Sequence, residues 1–199
     1  MRSFLVILTV LLFSSGFAQR NYQKGSVVLR NGQVLIGDVA DRREGFRTEI
    51  SKRIKIRVDG KLFAKKFGPR AVERYTIGTD NFISLPIITQ SRFLKTEMSV
   101  SSRGSFTFFM LLEEGVLNLL GLEYFDQDLN MIIMAFYLKK ENDPQLVRAT
   151  QGVFGLKKKN LIAFLQECNE LVELIENKKI TSPNEVVIFY NDWVKANPQ

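Results

Sequence analysis

Apolar and polar residues alternate along the chain as far as Phe154, and from Leu161 the spacing becomes helical. Three stretches carry a hairpin signature. Gly25 to Val39, GSVVLRNGQVLIGDV, has Asn-Gly between alternating strands, the strongest short-range hairpin signal. With Asn31-Gly32 as a two-residue loop, Leu29 faces Val34 and Val27 faces Ile36 on one side. Arg30 and Gln33 then meet on the other, with Val28 and Leu35 behind them. Lys52 to Lys66, KRIKIRVDGKLFAKK, folds at Asp59-Gly60 in the same way. Ile56 then pairs with Phe63, Ile54 and Val58 share that face, and Lys55, Arg57 and Leu62 point the other way. Lys61 and Lys65 fall on the apolar side at the edge, where long stems can snorkel to water.

Ser105 to Phe125, SFTFFMLLEEGVLNLLGLEYF, is the third, turning near Glu114-Gly115. Phe108, Met110 and Leu112 lie beside Leu117 and Leu119 on one face. Phe109, Leu111 and Leu120 make the other face nearly as apolar, so this pair is expected to be buried on both sides. A helix is the competing reading, but Gly115, Gly121 and the aromatic content favour strands.

Between these, Asp41 to Gly45 reads as a polar turn and Phe46 to Ile50 as a short strand. Gly68-Pro69-Arg70 breaks the pattern before Ala71 to Ile77, a helical turn leading into a strand. Asn81 to Thr89 is a further strand, which Pro86 places at an edge or a strand end. Ser91 to Ser102 alternates weakly. Met131 to Lys139 and Leu146 to Phe154 continue the strands around a turn at Glu141 to Pro144.

From Leu161 to Ile175 a wide apolar stripe at helical spacing predicts one helix. A second begins at Ser182, with Pro183 at its first position and Glu185 completing a capping box. Val186, Tyr190 and Trp193 share one side of it, with Val187 and Val194 adjacent. Strands first and helices last predict an α+β domain: a mainly antiparallel sheet of hairpins, flat, curled or barrel-like, with two C-terminal helices.

The start of the chain stands apart. Met1-Arg2 precedes an apolar run from Phe4 to Phe13, and small residues at Gly16 and Ala18 follow. That arrangement predicts a secretory signal peptide over residues 1–18. The run is well short of the roughly 20 residues a spanning helix needs. Residues 19–199 are then expected to form one domain, with a subdivision near 90–104 as the alternative. Cys168 is the sole cysteine and there is no histidine, so the expected exported chain has no internal disulfide and its stability rests on packing.

The same absences narrow the chemistry. A Cys-His nucleophile is impossible, and no G-x-S-x-G or S-x-x-K stretch exists. Cys168, on an apolar stripe, reads as a buried structural thiol. Asp126 to Asn130 opens like a calcium loop but continues with Met131 and Tyr137 where glycine and glutamate are needed. Glu113, Glu114, Glu123 and Asp126 form the acidic cluster in which paired carboxylates would be sought. The expectation is a non-enzymatic protein with no catalytic residue, metal or cofactor.

Charge is the more informative quantity. The net charge is +7, and between Asp41 and Tyr75 twelve basic residues outnumber five acidic ones, which accounts for all of it. Such a cluster attracts anionic partners, while a solvated edge kept soluble by lysines is the structural alternative. Lys55, Arg57 and Lys66 are the leading candidates for anion or partner binding, with Arg53 and Arg70 behind them. Lys157-Lys158-Lys159, before the first predicted helix, is a lesser one. Phe46, Phe63 and Phe67 are interleaved with the basic segment, yet export argues against nucleic acid and their alternation points to core.

The chain resembles a family of uncharacterised exported proteins of Bacteroidetes-type bacteria. The resemblance rests on GSVVLRNGQVLIGDV after the leader, a basic strand followed by KKFGPRAVERY, and GVLNLL. LQECNELVELI and a final FYNDW helix complete it. It implies an envelope, periplasmic or secreted location and brings no activity and no binding residues. The expected role is an interaction or structural component of the envelope, docking its basic hairpin on an anionic surface, acidic glycan or acidic protein. The alternative is a carrier of a small apolar ligand or lipid held between sheet and helices.

Overall fold

Asn31-Gly32 does turn the chain, but through a three-residue loop. In the computed structural model, which describes residues 22–42, 50–92, 95–126, 130–151 and 155–197, the Leu29 N–H donates to the Gln33 carbonyl at 2.9 Å. Gly32 takes the left-handed conformation at φ 84°, whereas Asn31 does not, so the loop is not the two-residue type. The register therefore moves by one residue: β1 (Gln23–Leu29) pairs with β2 (Val34–Arg42) as Val27↔Leu35 and Val28↔Val34. A one-residue slip exchanges faces. Val27, Leu29 and Leu35 are in the core, and Val34 and Ile36, expected inside, are exposed.

The basic hairpin also departs from the expected register, here by two residues, so its faces are not exchanged. β3 (Ile50–Val58) meets a short β4 (Lys65–Phe67), and Ile56 lies opposite Lys65, not Phe63. Asp59-Gly60 still turns the chain, with the Lys61 N–H donating to the Val58 carbonyl at 2.9 Å. Residues 62–64 then run on outside the strands before pairing resumes. Ile54 and Ile56 are fully buried, as their alternation predicts.

β5 (Val72–Ile77), β6 (Asp80–Arg92), β7 (Lys95–Val100), β8 (Ser105–Glu113), β9 (Leu117–Asp126), β10 (Met131–Lys140) and β11 (Gln145–Arg148) complete the sheet. Its order is β4-β3-β2-β1-β5-β6-β7-β11-β10-β9-β8, and β8 also pairs with β6. That last pairing closes β6 to β11 into a six-stranded antiparallel barrel, from which β1 to β5 extend as a side sheet. Pro86 lies inside β6, not at its end. On one edge β6 pairs with β5 up to Ile83 and with β7 from Ile87, so Pro86 falls in the gap where no ladder N–H is required.

Among the described residues three hydrophobic cores follow. Phe109, Leu120, Ala135, Tyr137 and Leu146 fill the barrel. Phe82, Phe108 and Met110, on its outer wall, pack under the side sheet with Val27, Ile54, Ile56 and Tyr75. Leu117, Leu119 and Leu138 face the helices. Most of the third hairpin is thus covered on both sides, as expected, although Leu112 and Tyr124 are exposed.

Among the described residues the helices number three. α1 (Lys158–Phe164) and α2 (Asn169–Glu176) replace the single helix expected over Leu161 to Ile175, and α3 (Pro183–Ala196) follows. The break has a visible cause. The Phe164 carbonyl, which an unbroken helix would offer to the Cys168 N–H, accepts the Lys140 ammonium at 2.6 Å. Cys168 N–H turns to the Leu165 carbonyl instead. Cys168 is buried, and burial pushes its thiol pKa up. α3 starts with the expected capping box between Ser182 and Glu185. Among the described residues no helix is long and apolar enough to cross a membrane.

Candidate interaction surface

The basic residues sit at the outer end of the side sheet, where β4 is the last strand among the described residues. β4 and β3 are its last two strands, and Lys55 lies directly opposite Lys66 on one face. Arg57, two residues on, shares that face and lies opposite Asp38 on β2. Its guanidinium carbon stands 4.9 Å from the Tyr22 ring centroid, a cation–π distance, while its buried Nε has no hydrogen-bond partner. Lys66 is exposed; Lys55 and Arg57 are half-buried. Arg53 is exposed on β3, and Arg70 is exposed in the turn between β4 and β5. The structure thus joins Lys55, Arg57 and Lys66 on one face, with Arg70 on the connection that follows.

Acidic groups on this face are already engaged. Lys24 on β1 bridges Asp38 at 3.1 Å and Asp59 at 3.0 Å, and those two carboxylates raise its pKa. One ammonium therefore holds the two carboxylates nearest the β3–β4 turn. The flanking lysines, Lys61, Lys65 and Lys66, are all exposed.

The alternation expectation fails here at Phe63, whereas Leu62 lies outside the core as its alternation predicts. Leu62 and Phe63 are 89% and 85% exposed, at the tip between Gly60 and β4. Alternation placed Phe63 in the core by carrying the strand through the turn. The signal that could have found them is the short distance from Asp59-Gly60 to Lys65, which leaves Leu62-Phe63-Ala64 as loop.

Two cavities lie elsewhere. A cleft of about 1000 Å³ opens between β7, β10, β11 and α1. Its walls include Met98, Leu146 and Phe164 together with Arg148, Lys157 and Lys159. Lys140 and Glu167, also in its lining, form an ion pair. A second space of about 40 Å³ lies between the side sheet and the barrel, lined by Asp41, Glu123 and Tyr75 among others. It has room for about one water molecule, not a substrate. Of the acidic cluster sought in the sequence, only Glu123 lines it; Glu114 instead reaches Arg74 at 4.0 Å. Asp126 ends β9, and Asn130, immediately before β10, has φ 50°, with residues 127–129 outside the described set. The polar turn beyond Arg42 and the strand from Phe46 also lie outside it, apart from Ile50, where β3 begins.

No protein-family model matches this chain, and no match was found among curated proteins or solved structures.

Proposed function

We propose that this is an exported, non-enzymatic interaction protein of a bacterial envelope that docks through the β3–β4 edge onto an anionic surface. The observation that carries the reading is the Lys55–Lys66 pair on one face of the last two strands, beside Arg57. A row of cations on a free strand edge does two things at once. It discourages pairing with another sheet, and it draws anionic surfaces by a field that falls off within a Debye length. The leader-like first 18 residues and the family resemblance support export. Lys55→Glu with Lys66→Glu should abolish salt-sensitive binding to isolated envelope membranes. Equal binding by parent and variant across a salt titration would overturn the reading.

The cleft beneath α1 favours a second reading, a carrier of a small ligand between sheet and helices. Its mixed lining suits an amphiphile with an anionic head: Arg148, Lys157 and Lys159 for the head, Met98, Leu146 and Phe164 for the tail. A fluorescent fatty acid should bind the folded protein and be lost on Arg148→Gln. Binding unchanged in that variant, or no binding at all, would count against it.

A further inference from the structure

We infer that the partner of the basic edge is an anionic lipid bilayer, and that Leu62 and Phe63 enter it. The inference rests on the docking reading above and names its partner. Two adjacent large apolar side chains almost wholly in water are unusual, and exposed apolar patches mark contact sites. Their place in the fold gives them a direction. They follow the Val58–Lys61 turn at the outermost edge of the sheet, and β4 beyond them is only three residues long.

The patch is wider than the tip. The Ile36 carbonyl accepts the Asp59 N–H at 3.2 Å, so β2 meets the turn at Ile36, which is itself 62% exposed. Lys61, Lys65 and Lys66 flank the apolar pair and are exposed. Apolar side chains ringed by lysines match the bilayer interface, where the chains reach the acyl boundary while the ammonium groups stay among anionic head groups. A polar polyanion such as an acidic glycan satisfies the lysines and leaves Leu62 and Phe63 in water. The bilayer satisfies both.

The test uses vesicles of equimolar phosphatidylcholine and phosphatidylglycerol, vesicles of phosphatidylcholine alone, and a sulfated polysaccharide resin. Cys168 is the sole cysteine and is buried, so Phe63→Cys can be labelled alone with a polarity-sensitive fluorophore. The label should shift to the blue on the phosphatidylglycerol vesicles and not on the neutral ones. Leu62→Ser with Phe63→Ser should weaken vesicle binding at least tenfold and leave retention on the resin unchanged.

A label that stays in water while the serine variant binds vesicles like the parent overturns the insertion and leaves electrostatic docking intact. Retention on the resin with no vesicle binding also overturns it, and assigns the edge to a different polyanion. Binding to neither probe removes both readings.

Discussion

Asn191 makes to Leu117 both hydrogen bonds that a neighbouring strand would make. Its Oδ1 accepts the Leu117 N–H at 2.8 Å and its Nδ2 donates to the Leu117 carbonyl at 2.9 Å. A side-chain amide from α3 thus stands in for a peptide group at the first residue of β9. It ties the last helix to the barrel wall where Leu117 is fully buried. Asn191→Ala leaves two buried backbone groups without partners and should lower stability by about 2–4 kcal/mol in urea unfolding. Asn191→Asp keeps an acceptor and loses the donor, so it should fall between. The close fit extends to Gly115, where an added Cβ would come within 2.4 Å of Asn191 Nδ2. Gly115→Ala and Asn191→Ala should therefore be less than additive in combination.

Arg30 performs a similar task where the side sheet meets the barrel. Its guanidinium donates to the Ser84 carbonyl at 2.7 Å and lies 4.6 Å from the Phe106 ring centroid. Ser84 sits in the gap where β6 changes partner from β5 to β7, so its carbonyl has no ladder donor on that edge. The Ser84 hydroxyl, buried, donates to the Pro69 carbonyl at 2.6 Å. Arg30→Ala should cost about 1 kcal/mol, since Arg30 itself is largely in water. Arg30→Lys should recover part of it, losing the planar stack on Phe106. An unfolding midpoint unmoved by Arg30→Ala would show that water serves the gap equally well.

What was legible in the sequence follows from how local each cause is. The capping box was readable because Ser182, Pro183 and Glu185 act within one turn. Each hairpin was readable from its glycine and its alternation. Register was not: whether Asn31 joins Gly32 in the left-handed conformation decides the faces, and an Asn-Gly pair fits either case. The break between α1 and α2 was invisible because Leu165, Cys168 and Leu171 remain buried across it. Its cause, Lys140, lies on β10. Closure of the barrel by β6 and β8 had no local mark at all. The basic edge was legible as charge, whereas its apolar tip emerged only once the strands were seen to end.

The N-terminus of α3 gives a clean local test. The Ser182 hydroxyl accepts the Glu185 N–H at 3.3 Å, and the Glu185 carboxylate accepts the N–H groups of Thr181 and Ser182, each at 3.0 Å. Ser182→Ala should lower stability by about 1 kcal/mol. The N–H donors of Thr181 and Ser182 hold the Glu185 carboxyl below its ordinary range. Its contribution is therefore present at neutral pH and lost in acid. Ser182→Ala and Glu185→Gln should each lower the thermal midpoint at neutral pH, and the second should flatten its fall toward acid more than the first, since the Ser182 side chain is one of several groups that favour the carboxylate.

A second pH dependence should come from Glu167. Its Oε1 accepts the Tyr190 hydroxyl at 2.7 Å and pairs with the Lys140 ammonium, so one carboxylate joins β10, the α1–α2 connection and α3. Lys140 also lies 4.6 Å from the Phe164 ring centroid. Burial alone would raise the Glu167 carboxyl, but the Lys140 and Tyr190 bonds outweigh it and hold the carboxyl below its usual range. Burial and the same carboxylate push the Tyr190 phenol up, so it stays a donor. The folded carboxyl thus releases its proton at lower pH than the unfolded one. Its contribution is complete above the unfolded value of about 4.3 and fades as pH falls through the folded value. Glu167→Gln should cost about 1–3 kcal/mol at neutral pH, since one side of a half-buried ion pair is lost. The difference from the parent should shrink in acid. Unfolding followed by urea across a pH series checks both, and a constant difference at every pH would remove Glu167 as the titrating group. Tyr190→Phe should cost less and leave the acid limb nearly in place, because the Lys140 bond alone still favours the carboxylate.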